Sequence, residues 1–459
     1  MIASPAEARR IARHFPSFRD FVDDALFHPQ WGYYSTGQVR FGEGGHYDTF
    51  PVALAPMFGR MVAQCAFRFW DRNGRPADFE LCELGAGNGQ LALDVIVWVD
   101  QRAQRSAVWR AFAHALHYRI IDRSAGLIRR QRQQLGPLRR RVRWTRADLS
   151  RRAARGTPFA RVGLVVANEV LDCLAHHKVV PLGDGTPGVV YVVPVLRGSR
   201  SDRARTFGPL PGLRPQDHAV PHAALAQVLA DLQRQRRLRF KEVVLPVTVV
   251  PGLADFLWRH YPEFFQVRRF KPYFACPEIE PLIHNTARLY ATSEMLWIDY
   301  GDTRDFHLRT RPERRVFAGP PFSGASVYRA PGGDDITFLV DFSVVADAAR
   351  RAGLGVKFFG GQGELARRSG VRLDRAARRL ILEYRMLGWM LSVVGVGPER
   401  AWRHTGLTWG NGRGGRVRDD VRKAVAEFCG ERPTNFKLMI LASPRRGASR
   451  GSRSRPMSG

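Results

Sequence analysis

Residues 79 to 91 constrain what this chain can fold into more than any other stretch. Phe79-Glu80-Leu81-Cys82-Glu83-Leu84 reads as a strand, Gly85-Ala86-Gly87-Asn88-Gly89 as a tight turn, and Leu91 opens a helical pattern that runs to about Asp100. Glycines there let the backbone turn sharply and pass close to a bound ligand. The rhythm then repeats. His117 to Ile121 is apolar and ends in Asp122, Leu127 to Leu135 is periodic, and Val162 to Ala167 is almost continuously apolar, as strands covered on both faces are. This alternation predicts an α/β fold with a doubly wound, Rossmann-like sheet.

The G-x-G-x-G spacing puts Gln90 where a dinucleotide fingerprint has its third glycine, and Glu83 precedes the loop. Both features favour S-adenosylmethionine, which has no pyrophosphate to seat on a helix N-terminus. The expected cofactor contacts are Glu83, Gly85, Gly87 and Gly89, with Asp122 at the next strand end accepting the ribose hydroxyls. Asp148, after a third strand, is placed either to contact the adenine or to cap a turn. Beyond Ala167, Asn168 and Glu169 would face the reactive methyl group, because ligands of open α/β sheets sit beyond the carboxyl ends of the strands. The same pair also reads as a helix N-cap followed by a first-turn acid.

Along the 459 residues the pattern divides into a helix and Gly/aromatic loop over 1–78, a first half of the cofactor domain over 79–178, and an inserted substrate-side subdomain over 179–290. A second half follows over 291–442, including a helix from Arg375 to Gly388, and residues 443–459 form a basic tail with five Arg and no acid, expected to be disordered. Five widely separated cysteines form no C-x-x-C pair, which argues against a disulfide scaffold or a structural zinc, and no metal site is expected. His176-His177 reads as structural. No apolar stretch reaches the roughly 20 residues that a membrane-spanning helix needs.

A net charge of +30 favours polyanionic neighbours such as RNA. The same bias arises from GC-rich coding, and 66 Arg against 6 Lys fits that origin as well. Residues 129–155 hold eleven Arg and one Asp, a pattern for gripping phosphate or for a solvated face. At the N-terminus Arg9, Arg10, Arg13 and Arg19 have the flavour of a mitochondrial presequence, while Glu7 and Asp20 do not fit one.

Collinear motifs run over most of the chain. They comprise His28-Pro29 with Gly32-Tyr33-Tyr34, Phe41-Gly42, Met57-Phe58-Gly59, the glycine loop through Asp94, and Ser124, Leu127, Gln131 and Leu135 after Asp122. They continue as Ala167-Asn168-Glu169 with Asp172, Ile298-Asp299-Tyr300-Gly301, Asp335-Ile336-Thr337, Val340-Asp341-Phe342, Gln362-Gly363 and Asn435-Phe436-Lys437. In these the sequence resembles the MidA-like class I methyltransferases, whose mitochondrial members assist respiratory complex I assembly by methylating an arginine.

The resemblance implies a protein arginine methyltransferase, a protein substrate such as a complex I subunit, and a mitochondrial matrix location in a eukaryote or a cytoplasmic one in a bacterium. For a guanidinium acceptor, carboxylates must hold the positive charge while one nitrogen attacks. Glu169 and Asp172, with Asn168, are the residues best placed for that; Asp48 and Asp299 are secondary candidates, Asp299 equally readable as shaping the sheet edge. The sequence departs from the family at Gly45-His46-Tyr47-Asp48-Thr49-Phe50-Pro51-Val52, where the family's Gly-Asp-Phe-x-Thr-Ser-Pro-Glu has two further acids and a serine. Ala86 and Asn88 also stand where Pro and Arg are common. The altered loop and the charge keep a second reading open: an assembly or scaffold factor of methyltransferase fold, acting on a mitochondrial ribosome or another ribonucleoprotein.

Overall fold

A computed structural model describes residues 5–36, 39, 51, 55–151, 159–197, 217–222, 238–312, 315–318, 326–371 and 436–444. Asp48, the 375–388 segment, Cys429, Asn435, most of the 197–221 loop and the tail beyond residue 444 lie outside these.

Two short helices open the described chain, α1 (Pro5–His14) and α2 (Phe18–Phe27). The side chain of Ser17 accepts the Asp20 amide and starts α2, whose Phe18, Phe21, Val22, Ala25 and Leu26 form one buried face. Helix α3 (Met57–Arg72) precedes β1 (Phe79–Leu84), which is buried along its whole length. Helix α4 (Gln90–Arg105) follows the glycine turn. A further helix absent from the sequence pattern, α5 (Ala107–Ala115), buries Trp109 and Phe112 before β2 (Leu116–Asp122). Ser124 caps α6 (Ala125–Leu135), Gly136 ends it at φ +51°, and β3 (Val142–Arg146) and β4 (Ala160–Asn168) complete the first half.

The next segment builds a second sheet, antiparallel and five-stranded: β5 (His177–Pro181), β6 (Pro187–Arg197), β7 (Asp217–Ala219), β8 (Leu238–Pro246) and β9 (Tyr273–Ala275). Helix α2 lies on it, with Phe18, Phe21 and Val22 packed in one core with Val190 and Val192. Two helices, α7 (Leu253–His260) and α8 (Ile279–Ala287), lead back to β10 (Tyr290–Asp302). The chain then runs through β11 (Val316–Ala318), β12 (Ile336–Phe338), β13 (Val340–Asp341), α9 (Phe342–Arg351), β14 (Gly355–Gly361), α10 (Gly363–Ser369) and β15 (Phe436–Ala442).

The main sheet has the order β14-β15-β10-β4-β1-β2-β3, with β13 also paired to β10. Strands β3, β2, β1, β4 and β10 run parallel, while β15 is antiparallel to both β10 and β14. The chain moves outward from β1 through β2 to β3 and then returns to the other side of β1 with β4. That reversal opens a crevice at the carboxyl ends of β1 and β4, where doubly wound sheets take ligands.

Within the described part of the basic stretch, residues 129–151, several arginines are engaged by the chain itself. Arg141 bonds Asp100 at 2.5 Å, Arg132 lies over Trp144, Arg130 reaches the Val39 carbonyl and Arg151 reaches Asp23. Among the described residues no helix is long and apolar enough to cross a membrane.

Gly301 marks a place where the packing admits no side chain, since a Cβ there would fall 2.0 Å from the Val340 carbonyl oxygen and 2.6 Å from its nitrogen. Both are backbone atoms of the paired β13, so neither can swing away. Gly301→Ala is expected to lower the free energy of unfolding by about 1–3 kcal/mol, read from urea denaturation; an unchanged midpoint would mean that β10 and β13 can separate without loss.

Candidate active site

The glycine turn is held in the conformation its sequence requires. Gly85, Gly87 and Gly89 have φ values of +62°, +53° and +89°, a region that side-chain-bearing residues rarely enter. The Gly85 amide donates to the Ile121 carbonyl at 2.9 Å, which fastens the turn to the end of β2. In the β1–β2 register Leu84 pairs with Ile121, so Asp122 stands beside the start of the turn. Gln131 of α6 joins them by donating to the Gly87 carbonyl (3.2 Å) and to Asp122 Oδ2 (2.8 Å).

Asp122 is buried, and its Oδ1 accepts the Ser124 amide at 2.8 Å. Burial pushes its carboxyl up to about 6 against the pull of those two hydrogen bonds. Glu83 accepts the Tyr118 hydroxyl at 2.6 Å. Its carboxyl is pushed further, to about 8, by burial and by the charge of Asp122. Two buried carboxyl groups at adjacent strand ends, over a turn with three left-handed glycines, fit a ligand that offers hydroxyl and ammonium donors. S-adenosylmethionine is such a ligand, and Glu83, Gly85, Gly87, Gly89 and Asp122 are the residues that would hold it. Asp148 is engaged otherwise: Oδ1 accepts the Ser150 amide (3.0 Å) and hydroxyl (2.5 Å), and Oδ2 lies 3.5 Å from Arg123 and 3.6 Å from Arg151. That is the turn-capping alternative, although the Ala147 amide bonds the Asp122 carbonyl at 3.1 Å and keeps the loop close.

Across the crevice, β4 ends in Asn168 and the chain does not enter a helix. It makes a turn through Cys173, so the helix-cap reading of Asn168 and Glu169 fails. Glu169 has φ +53°, a strained value for a residue with a side chain. Its amide donates to the Ile298 carbonyl at 2.8 Å and its Oε1 accepts the Asn168 amide group at 2.8 Å. The adjacent Val170 packs on the glycine turn, its Cγ2 lying 3.0 Å from where a Gly85 Cβ would stand. Thus the Glu169 turn and the cofactor turn are in contact.

Asp299 shapes this turn. It is fully buried, and its Oδ2 accepts the amides of Leu171 (2.9 Å) and Asp172 (3.2 Å) while Oδ1 accepts the Tyr300 amide (2.8 Å). Asp172 is 2% exposed and has an Oδ1 with no hydrogen-bond partner. Burial raises its carboxyl and, with the charges of Asp172 and Glu169, that of Asp299. A residue that the motif reading left without a role joins them: Asp335, buried, accepts the Tyr34 hydroxyl at 2.9 Å, and that hydroxyl also lies 3.2 Å from Cys173 Sγ. Tyr34 and Asp335 are 301 residues apart. Only their presence in two short motifs, Gly32-Tyr33-Tyr34 and Asp335-Ile336-Thr337, hinted at a shared task.

The histidine pair has a packing role. His176 stacks on Phe338 at 4.2 Å and its Nδ1 meets the Leu174 carbonyl at 2.7 Å; burial lowers both imidazoles, to about 3 for His176 and about 4 for His177.

A doubly wound sheet with a glycine turn after β1 and an acid after β2 defines a class I methyltransferase fold. Residues 61–360, well over half of the chain, match the family described as "Putative S-adenosyl-L-methionine-dependent methyltransferase", and the chain belongs to this family. It is a methyltransferase that uses S-adenosylmethionine. Among solved structures, a Burkholderia thailandensis protein bound to S-adenosyl-homocysteine is similar over 99% of both chains, with 20% identity and a TM-score of 0.60. A second Burkholderia thailandensis structure covers 99% of both chains with 19% identity and a TM-score of 0.55. The Drosophila melanogaster "Protein arginine methyltransferase NDUFAF7 homolog, mitochondrial" is 38% identical over 77 residues, a match that spans 17% of each protein.

Asp122→Ala is expected to weaken S-adenosylmethionine binding by about 1.5–3 kcal/mol, the usual worth of a charge-assisted hydrogen bond. Because the carboxylate is the form that accepts hydroxyl donors, binding to the wild type should also weaken as the pH falls through about 6. Calorimetry at several pH values checks both; equal affinity for wild type and variant would remove Asp122 from the site.

Proposed function

We propose that this enzyme transfers a methyl group to an arginine guanidinium of a protein, and that the turn carrying Asn168, Glu169 and Asp172 receives the acceptor. The observation that carries the reading is the concentration of carboxyl groups there: Glu169 at the strand end against the cofactor turn, and Asp172 and Asp335 buried behind it. Such a cluster of acids is unfavourable for an anionic guest and favourable for a planar cation with several N–H donors. The name of the fly relative supports the same acceptor.

S-adenosylmethionine supplies an electrophilic methyl group when bound. The work left to the protein is orientation and charge. Glu169 holds the N–H groups of the guanidinium that do not react, with Asp172 supporting it from behind, so positive charge gathers on those groups while the reacting nitrogen keeps its lone pair. Asn168 fixes the Glu169 carboxylate through its 2.8 Å bond. Glu169, nearest the crevice, takes the proton that the methylated nitrogen gives up and passes it to solvent. The protein substrate is read as a respiratory complex I subunit, in the mitochondrial matrix of a eukaryote or the cytoplasm of a bacterium. The fly relative's mitochondrial name supports the first of these locations.

Glu169→Gln preserves shape and removes charge. It is expected to lower methyl transfer from tritiated S-adenosylmethionine into complex I subunits by about 10²-fold or more, while calorimetric affinity for S-adenosylhomocysteine changes by less than about threefold. Methylarginine in the acceptor is identified by mass spectrometry. Unchanged turnover in the variant returns Glu169 to shaping the turn, and a wild type that methylates no guanidinium overturns the acceptor assignment.

A further inference from the structure

Tyr34 belongs to both halves of the site at once. Its backbone is fixed by the end of α2, where the amides of Tyr33 and Tyr34 donate to the carbonyls of Ala25 (2.9 Å) and Leu26 (2.8 Å). Its own carbonyl accepts the Ser124 hydroxyl at 2.8 Å, and the Ser124 amide is the group that binds Asp122 Oδ1. Its side chain points the other way in this chain of contacts, with the hydroxyl on Asp335 Oδ1 and beside Cys173 Sγ. The residue is 6% exposed, so water does not replace these partners.

We propose that Tyr34 is a positioning residue: its hydroxyl holds Asp335 in place behind Asp172, while its backbone ties that carboxyl to the Asp122 end of the cofactor site. What the acid pocket binds rests on the acceptor reading above; the link itself does not. A hydroxyl donated to a carboxylate favours its charged form, and Asp335 needs that help. Burial and the charge of Asp172 push its carboxyl up to about 7, against the Tyr34 hydroxyl and the Ile336 amide. The groups facing Asp335 are Tyr33 and Tyr34 from the N-terminal segment, Asp172 and Cys173 from the turn after β4, and its neighbour Asp334. Asp334 is itself held by Arg329 at 2.6 Å. Without the hydroxyl, Asp335 would retain its proton through neutral pH and the pocket would lose a charge.

The test uses Tyr34→Phe in the full chain, which keeps the ring and the backbone carbonyl. Infrared titration of Asp335, assigned by subtracting Asp335→Asn, should show its midpoint rising by about one pH unit, a tenfold gain in proton affinity. S-adenosylhomocysteine affinity should change by less than about threefold, because the Ser124 contact is to the backbone. An unmoved Asp335 midpoint overturns the proposal, and so does a loss of affinity as large as that of Asp122→Ala. If Tyr34→Phe does not fold, Asp335→Asn alone decides the pocket. A carboxyl raised by folding stabilises the native state below its unfolded value near 3.8, and this contribution is lost as the pH rises through about 7. Asp335→Asn should therefore flatten the fall in melting temperature between pH 5 and 8, and an unchanged fall overturns the proposal. Neither readout uses a methyl acceptor, so failure to methylate arginine counts against the proposed function and not against this link.

Discussion

Strand β1 pairs in parallel with β2 on one side and β4 on the other, and every part of the site depends on that arrangement. Parallel neighbours end at the same level, so the loops that leave β1, β2 and β4 emerge together. The glycine turn, Asp122 and the Asn168–Asp172 turn come within reach of one another for this reason alone. Strand β10 adds the fourth member from the far side of β4, bringing Asp299 and Tyr300 under the Glu169 turn.

Burying carboxyl groups is unfavourable unless each is hydrogen-bonded or paired. The protein meets that requirement unequally. Asp299 is fully satisfied by backbone amides, and its two oxygens turn the chain after β4. Glu80, also buried, is neutralised by Arg119 at 2.5 Å and held by the Tyr290 hydroxyl at 2.6 Å, which fits a structural pair. Asp335 receives a hydroxyl in place of a cation, and one oxygen of Asp172 has no partner. Asp299 thus builds the frame, while Asp172 keeps one buried oxygen unpartnered in the turn that touches the glycine turn. Of the two described side-chain-bearing residues with positive φ, Glu169 lies in this turn and Arg75 lies before β1.

The N-terminal segment shows how remote sequence enters the site. Helix α2 buries Phe18, Phe21 and Val22 against β6 of the antiparallel sheet, and the Gly32-Tyr33-Tyr34 turn folds back on its end. That apolar packing is what places the Tyr34 hydroxyl beside Asp335 and Cys173. Arg123, stacked over Phe27 at 3.7 Å and paired with Asp23 at 3.0 Å, pins the same helix to the loop after β2.

The glycine turn, the strand ending in Asp122 and the polar end of β4 were legible in the sequence, because strand–turn–helix chemistry is local and a few residues specify it. The class of fold and the cofactor followed from them. Helix α5 was not legible, since its nine residues follow α4 after a single Ser106 and blur the periodicity. Nor was the turn after Asn168 recognisable from its sequence: Asn-Glu before an apolar run is equally good helix-capping chemistry, and only the Asp299 carboxylate, 127 residues away from Asp172, selects the turn. Likewise Asp148 could be read for adenine or for a cap, and only the fold shows that Ser150, Arg123 and Arg151 surround it. Local patterns determined where the elements begin and which strand ends carry acids. Only tertiary structure decided which acids are held by amides and cations and which are left with weaker partners, because that depends on what the long-range pairing of β4, β10 and the N-terminal helix brings together.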